Sequence, residues 1–308
     1  MKQVLAFGEA LLDLVYRGNH FIGSCPGGSV VNTCISLGRC GMPVQLMTET
    51  GEDEYGHHIR GFLSDNHISI DHSVVYPGRK TASSHALLDD KGNATYTFQK
   101  DYPEKRFSTQ LPELDENTIL LFGSFSSLEA SLQQVLHGLL GRAVTGNSLI
   151  FYDPNIRQHK LDPHTESYAW LKRNLAMAHI IRGSDEDFMQ VFGTDSITQV
   201  WQGIQPSVCK LLIITRGSKG VEAFNGIRNF QLPVYGAPES TLIVSTIGAG
   251  DAFNAGIIAA ICKNPEVIGD NKLIRPEFVE KVLSVGLQFS AEVCSSIENF
   301  VGLNFCPD

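Results

Sequence analysis

The sequence predicts an α/β protein in which a mostly parallel sheet is covered by helices on both faces and a smaller sheet stands apart from it. Three observations carry that prediction. Short apolar runs alternate with helical patterns along the chain, as in strand–helix–strand units. A Gly248-Ala249-Gly250 turn sits where an apolar helix begins. Two β-like runs flank the polar turn Asp89-Asp90-Lys91-Gly92-Asn93, where the alternation breaks.

Buried strands are expected over 4–7, 44–47, 119–122, 149–152, 180–181 and 211–215, each a short apolar run. Helices are expected near 30–37, 55–64, 127–140, 164–177, 185–191 and 276–295, between and after those strands. The run 242–244 reads as one more short strand, and 252–261, almost wholly apolar, as a buried helix. Residues 81–88 and 94–100 form a hairpin around the polar turn, and 13–16 and 21–22 supply further strands. Together they suggest a β lid, over about 12–24 and 79–102, inserted in a single domain spanning 1–308. In open parallel sheets ligands sit beyond the carboxyl ends of the strands, and each motif below follows an expected strand end.

Composition narrows the function classes. Hydrophobic residues make up 43% and charged residues 19%, as in ordinary globular enzymes. The net charge of −9 disfavours nucleic-acid and anionic-membrane partners, so an anionic substrate must be held by local groups. No apolar run approaches the roughly 20 residues that span a bilayer. The seven cysteines show neither Cys-x-x-Cys nor zinc spacing, and are expected as reduced thiols. The first residues lack a long apolar core followed by a cleavage site, so a cytoplasmic location is expected.

The first turn of a helix presents unpaired N–H groups and about half a positive charge. Glycine lets a ligand approach that backbone closely. Gly248, Ala249 and Gly250 therefore form a nest for an anion, above all a phosphate. Asp251 beside them would repel that anion unless the carboxylate has a task. Accepting a proton from a hydroxyl that attacks the bound phosphate is such a task. The plainer alternative is a tight turn with Asp251 as a helix cap.

Five motifs occur in one order: Pro26-Gly27-Gly28-Ser29-Val30-Val31-Asn32, Thr50 to Gly56, Asp153-Pro154-Asn155-Ile156-Arg157, Thr215-Arg216-Gly217-Ser218-Lys219-Gly220, and Ser245 to Gly256. On these the chain resembles the PfkB (ribokinase-like) family of carbohydrate kinases over nearly its whole length. The Asp-x-Asn-x-Arg form looks most like the fructokinase branch. The resemblance implies a three-layer α/β/α core, a β lid over a sugar, and ATP-dependent, Mg²⁺-assisted transfer to a sugar hydroxyl, here D-fructose at its 6-hydroxyl.

The resemblance also implies roles. Asp251 is the base, with Gly248, Ala249 and Gly250 stabilising the transferring group. Asp13, Gly27, Gly28 and Asn32 bind sugar. Asp13 can accept two hydroxyl hydrogen bonds, and Asn32 offers both a donor and an acceptor. Asn155 lies near the sugar, and the planar fork of Arg157 suits phosphate oxygens. Tyr96 and Phe98 stack on sugar faces, although alternation along a strand could place one of them in a core. Ser184, Thr215, Arg216, Gly217, Gly220, Thr246, Gly248 and Gly250 line the nucleotide. Ser184 and Asp187 stand where the family has Asn and Glu; Asp187 would hold magnesium only through water, while Ser-x-x-acid also makes a helix capping box. Ser245 replaces the usual Asp of a monovalent-cation site, which puts potassium dependence in doubt.

Other sugars and other classes remain open. A 2-keto-3-deoxygluconate kinase would need cations for the substrate carboxylate, and Lys100, Lys105 and Arg106 could serve. Ribose and nucleoside kinases fit the same motifs. A dinucleotide oxidoreductase would need Gly-x-Gly-x-x-Gly after the first strand, and a Walker NTPase Gly-x4-Gly-Lys-Ser/Thr; both are absent. A non-catalytic sugar sensor on the same fold is a third class, against which Asp251 and the glycine turn argue. A lid with one apolar face also suggests a homodimer.

Overall fold

The computed structural model describes residues 2–18, 20–88, 94–107, 110–156, 161–236, 243–303, 305 and 307. The elements are β1 (Gln3–Phe7), β2 (Leu11–Arg17), β3 (His20–Gly27), α1 (Ser29–Arg39), β4 (Val44–Met47), β5 (Glu49–Gly51), α2 (Glu54–Asp65), β6 (Ile68–Ser69), β7 (Val74–Tyr76), β8 (Ser83–Leu88), β9 (Ala94–Gln99) and β10 (Thr118–Gly123). They continue with α3 (Gln133–Thr145), β11 (Leu149–Asp153), α4 (Glu166–Met177), β12 (Ile180–Ser184), α5 (Asp185–Phe192), α6 (Ile197–Gly203), β13 (Leu211–Thr215), β14 (Val221–Phe224), β15 (Asn229–Leu232), α7 (Ala249–Lys263) and α8 (Pro276–Cys294).

Nine strands form one sheet in the order β15-β14-β13-β12-β11-β10-β1-β4-β6. The pairs from β6 through β13 are parallel, and the β14–β15 hairpin adds an antiparallel edge. Period-2 alternation along each strand divides the core into two layers. Val4, Ala6, Ile119, Leu121, Phe151 and Ile213 point to one side, where helices α1, α2, α7 and α8 pack. Leu5, Phe7, Leu120, Phe122, Tyr152 and Ile214 point to the other, where α3, α4, α5 and α6 pack. The protein is therefore a three-layer α/β/α sandwich. Helix α7, buried from Asp251 to Cys262, lies between α1 and α8. That all-round burial explains why its sequence carries no polar stripe.

A second sheet, β3-β2-β8-β9, stands apart from the first. It springs from the carboxyl end of β1 and takes its second hairpin from the segment before β10. Its turn, 89–93, lies outside the described residues. Asp13 pairs in register with Ser84, and Ser84 with Phe98, so these residues share one row of one face. Leu12 and Leu14, on the opposite face, are buried in the core.

Three expectations change. Ile243 and Val244 are exposed loop residues, and no strand includes them; Leu242 lies outside the described residues. The helix expected over 127–140 begins only at Gln133, because Glu129 adopts an extended conformation that separates two single 3₁₀ turns. Strand β12 runs on through Arg182 to Ser184, past its apolar pair.

The amino ends of β11 and β12 carry a pH-sensitive contact. The N–H of Ile150 donates to His179 Nδ1 at 3.0 Å. Burial, with Lys272 and Lys210 nearby, pushes the His179 pKa down to about 4. A His that is harder to protonate folded than unfolded contributes stability that is full above about pH 6.5 and is lost as pH falls through about 4. The urea midpoint should therefore drop between these values, by a contribution of up to roughly 3 kcal/mol. His179→Asn, which keeps an acceptor but does not titrate, should flatten that dependence.

Candidate active site

The carboxyl ends of β11 and β12 and the start of α7 converge on a cleft of about 440 Å³. Its walls include Asn155, Ile156, Arg182, Ser184, Glu186, Asp187, Gln190, Thr246, Ile247, Gly248, Gly250 and Asp251. A smaller cavity of about 230 Å³ continues from it past Asn155 and Ile156 towards Phe125, Leu128 and Glu129.

Asp251 is in the first turn of α7 and 4% exposed. Its carboxylate is held by α1: Ser29 Oγ donates to Oδ1 at 2.6 Å, and Asn32 Nδ2 to Oδ2 at 2.9 Å. Thr33 Oγ1 donates to the Asp251 carbonyl at 3.0 Å. Gly248 caps α7 with φ 81°, and a Cβ there would overlap the Asn299 carbonyl, so the turn requires glycine. The N–H of Ala249 donates to the Thr246 carbonyl at 3.3 Å, which ties it to the turn itself. The Ala249 N–H is thus shared with the turn, and the N–H groups of Gly248 and Gly250 flank it.

Arg182 is the residue that the sequence reading missed. It is 7% exposed in the middle of β12, with Nη1 2.9 Å from Asp153 Oδ2 and Nη2 2.6 Å from Thr215 Oγ1. Its Nε is buried without a partner. A Cβ on Gly250 would lie 2.7 Å from Nη2, so glycine there admits a guanidinium against the first turn of α7. A cation and a helix start thus share one wall of the cleft, which favours an anion there. Asp153, 3% exposed, also accepts from Asn254 Nδ2 at 2.6 Å and from the Asn155 N–H at 3.1 Å. The latter bond closes a turn in which Asn155 has φ 41°.

Asp187 takes the structural alternative. Its Oδ2 accepts from the N–H and Oγ of Ser184, and its Oδ1 from the Ile156 N–H, each at 2.7 Å. With the Ser184 side chain accepting in return, this is a capping box. Burial, and then Asp153, raises the Asp187 pKa. No group of three or more His, Cys, Asp or Glu suited to a metal occurs among the described residues. With both Asp187 oxygens accepting from protein N–H and O–H groups, the residues present fit magnesium carried by nucleotide phosphates better than a protein-held ion.

The remaining predicted residues divide by position. Asp13 accepts from Ser84 Oγ at 2.6 Å, and Gly27 packs against its carboxylate with no room for a Cβ. Gly28 has φ 120°, and a Cβ there would overlap the Glu9 carbonyl. Asn32 keeps a buried Oδ1 with no partner. Phe98 is 62% exposed on β9, in ring contact with Phe125 at 6.3 Å. Tyr96 lies two residues before it, and its side chain lies outside the described residues, as does the whole of Arg157. Gly217 and Gly220 make a turn after β13 that does not line the cleft. Arg216 turns elsewhere, to Glu222 Oε2 at 2.6 Å and to Asp195 Oδ2 at 2.9 Å, so neighbouring carboxylates engage the guanidinium expected to offset phosphate charge. The hydroxyl of Ser245 accepts the Ile247 N–H at 3.1 Å.

A three-layer α/β/α core, a second sheet joined to it at β1, and a carboxylate at a helix start together make the arrangement of a sugar kinase. Residues 1–275 match the pfkB family carbohydrate kinase pattern, and the chain belongs to that family. It is 30% identical over 269 residues to a fructokinase of Rhizobium leguminosarum bv. trifolii, covering 84% of this chain and 79% of the relative. The fold is similar to fructokinase from Vibrio cholerae in its fructose, ADP and calcium ion bound form, with TM-score 0.83 and 19% identity over 98% of this chain and 96% of that one. It is also similar to aminoimidazole riboside kinase from Salmonella enterica complexed with aminoimidazole riboside and an ATP analog, with TM-score 0.81 and 19% identity over 98% and 97%.

Proposed function

We propose that this chain transfers the γ-phosphoryl group of ATP to the 6-hydroxyl of D-fructose. The observation that carries this reading is the placement of Asp251, a carboxylate fixed by α1 in the same cleft wall as Arg182 and the first turn of α7. Asp251 takes the proton of the attacking hydroxyl. The sugar oxygen bonds to the γ-phosphorus as its bond to the bridging oxygen breaks, and ADP leaves. Arg182 and the N–H groups of Gly248 and Gly250 neutralise charge on the group in flight. Magnesium, carried by the nucleotide, offsets phosphate charge when bound. Ser184 and Thr246 form the nucleotide side, with Thr215 behind Arg182. Asp13, Gly27, Gly28, Asn32, Asn155 and Phe98 form the sugar side, with the β3-β2-β8-β9 sheet as lid; the roles expected of Tyr96 and Arg157 rest on the sequence alone.

Charge pairing supports a neutral sugar over a sugar acid. Arg106, 8% exposed, is ion-paired with Glu49 and with Glu129. Lys100 pairs with Glu129 at 2.9 Å. Burial alone would raise Glu129, yet the bond and charge of Lys100, with Arg106, hold its pKa below the usual carboxylate value. Two of the three cations that could serve a substrate carboxylate are therefore already engaged, and Asp13 adds negative charge.

The test is ADP release with ATP and a panel of D-fructose, 2-keto-3-deoxygluconate, ribose and adenosine. Fructose should give the highest kcat/KM, and the sugar acid should fall at least about tenfold below it, the cost of one unpaired polar group. Preference for the sugar acid would overturn the substrate reading. The reading extends to a cytoplasmic site, supported by free thiols at Cys25, Cys34, Cys40, Cys209, Cys262 and Cys294. It also extends to pairing of two copies through the lid, where Phe21 and Ile22 are exposed.

A further inference from the structure

We propose that Ser29 is a positioning residue for Asp251: its hydroxyl fixes the plane of the carboxylate and sets how readily that carboxylate takes a proton. The inference rests on the reading of Asp251 as the base. The two residues are 222 positions apart, 8% and 4% exposed, and joined by an O–H···O contact of 2.6 Å. That is the short geometry of a hydrogen bond to a charged oxygen.

The other small polar residues of α1 behave differently. Ser36 Oγ returns to the Asn32 carbonyl at 3.0 Å, a local back-bond common in helices, and Thr33 Oγ1 divides between the Ser29 carbonyl at 3.2 Å and the Asp251 carbonyl at 3.0 Å, touching backbone only. Ser29 makes no cap for its own helix. Its bond reaches across to α7 instead, so helix stability does not account for the hydroxyl. Ser29, Asn32 and Thr33 lie at i, i+3 and i+4 and present one face to Asp251. Within that face Thr33 holds the backbone and Asn32 holds Oδ2. Asn32 Nδ2 can only donate, whereas a serine hydroxyl donates to a carboxylate and accepts from a carboxylic acid. Ser29 can therefore follow Asp251 through both protonation states without moving a heavy atom.

The test is steady-state turnover of the full chain with ATP, Mg²⁺ and D-fructose across pH, for Ser29→Ala, Ser29→Cys and Ser29→Thr beside Asp251→Asn. A hydrogen bond to a charged group is worth roughly a factor of ten or more. Ser29→Ala should lower kcat about tenfold, leave KM for ATP within about twofold, and move the acid limb of the kcat profile up by about half to one pH unit. Ser29→Cys, close in size but a weak donor, should behave like Ala and carries the test if the Ala variant does not fold. Ser29→Thr should recover most of kcat and the original limb. Overturning results are an unmoved acid limb in a folded Ala or Cys variant, or equal losses in the Ala and Thr variants. If Asp251→Asn turns over normally, the base reading falls and this proposal with it. If Asp251→Asn is inactive while Ser29→Ala and Ser29→Cys match the parent, only the role of Ser29 falls.

Discussion

Asp251→Asn should lower kcat by roughly 10²–10⁴-fold while ATP binding survives. The substitution removes the proton acceptor and nothing of similar volume. The Asp251 carboxylate accepts hydrogen bonds from Ser29 and Asn32. An amide keeps only one accepting oxygen, so one of those donors must turn or go unpaired, at about 1–3 kcal/mol. Ser29 can turn its hydroxyl, which keeps that stability cost at the low end of the range. The groups that face the nucleotide, Arg182 and the start of α7, are untouched. Calorimetric titration with a non-hydrolysable ATP analogue should therefore give a Kd close to that of the parent chain. Equal turnover in a folded variant would remove Asp251 from the chemistry.

Arg182→Met should act on stability and activity together. Asp153 and Arg182 are both nearly fully buried and 2.9 Å apart. Removing one member of a buried pair leaves the other charge without its counter-ion, at roughly 3–5 kcal/mol. Asp187, already harder to ionise because of burial and the neighbouring Asp153, would feel the loss as well. Urea unfolding should report the destabilisation, and KM for ATP should rise because the only guanidinium among the described cleft-wall residues is gone. Arg182→Lys should restore part of the stability but little of the affinity, since a point charge cannot reach Asp153 and Thr215 together. A Met variant as stable as the parent would show that the pair does not hold the ends of β11 and β12 in place.

Most of the sheet was legible because its strands are short, largely apolar runs bounded by turn residues, and six such runs became parallel strands. The second sheet was legible from its polar turn and from the break in alternation. The β14–β15 hairpin escaped notice, though Asn225-Gly226 lies in its turn and is a usable hairpin signal. Ile243 and Val244, expected as part of a strand, lie in none, because so short an apolar run specifies no pairing partner. Arg182 was hidden for a different reason. In sequence it reads as the polar residue that ends a strand, and only the neighbouring strands bring Asp153 and Thr215 to it. Arg216 shows the converse: a cation in a recognised motif, taken by Glu222 and Asp195, which no local pattern connects to it. Asn32 was read as a ligand for sugar, and tertiary packing gives its donor to Asp251 while leaving its acceptor unpaired.

The most direct measurement is a crystal structure of the chain with ADP, aluminium fluoride and D-fructose. The account predicts the fluoride group within hydrogen-bond reach of the Gly248 and Gly250 N–H groups and of Arg182, with the fructose 6-hydroxyl oxygen about 2.6–3.2 Å from the Asp251 carboxylate. A sugar bound with no hydroxyl near Asp251, or a fluoride group seated away from the start of α7, would contradict it.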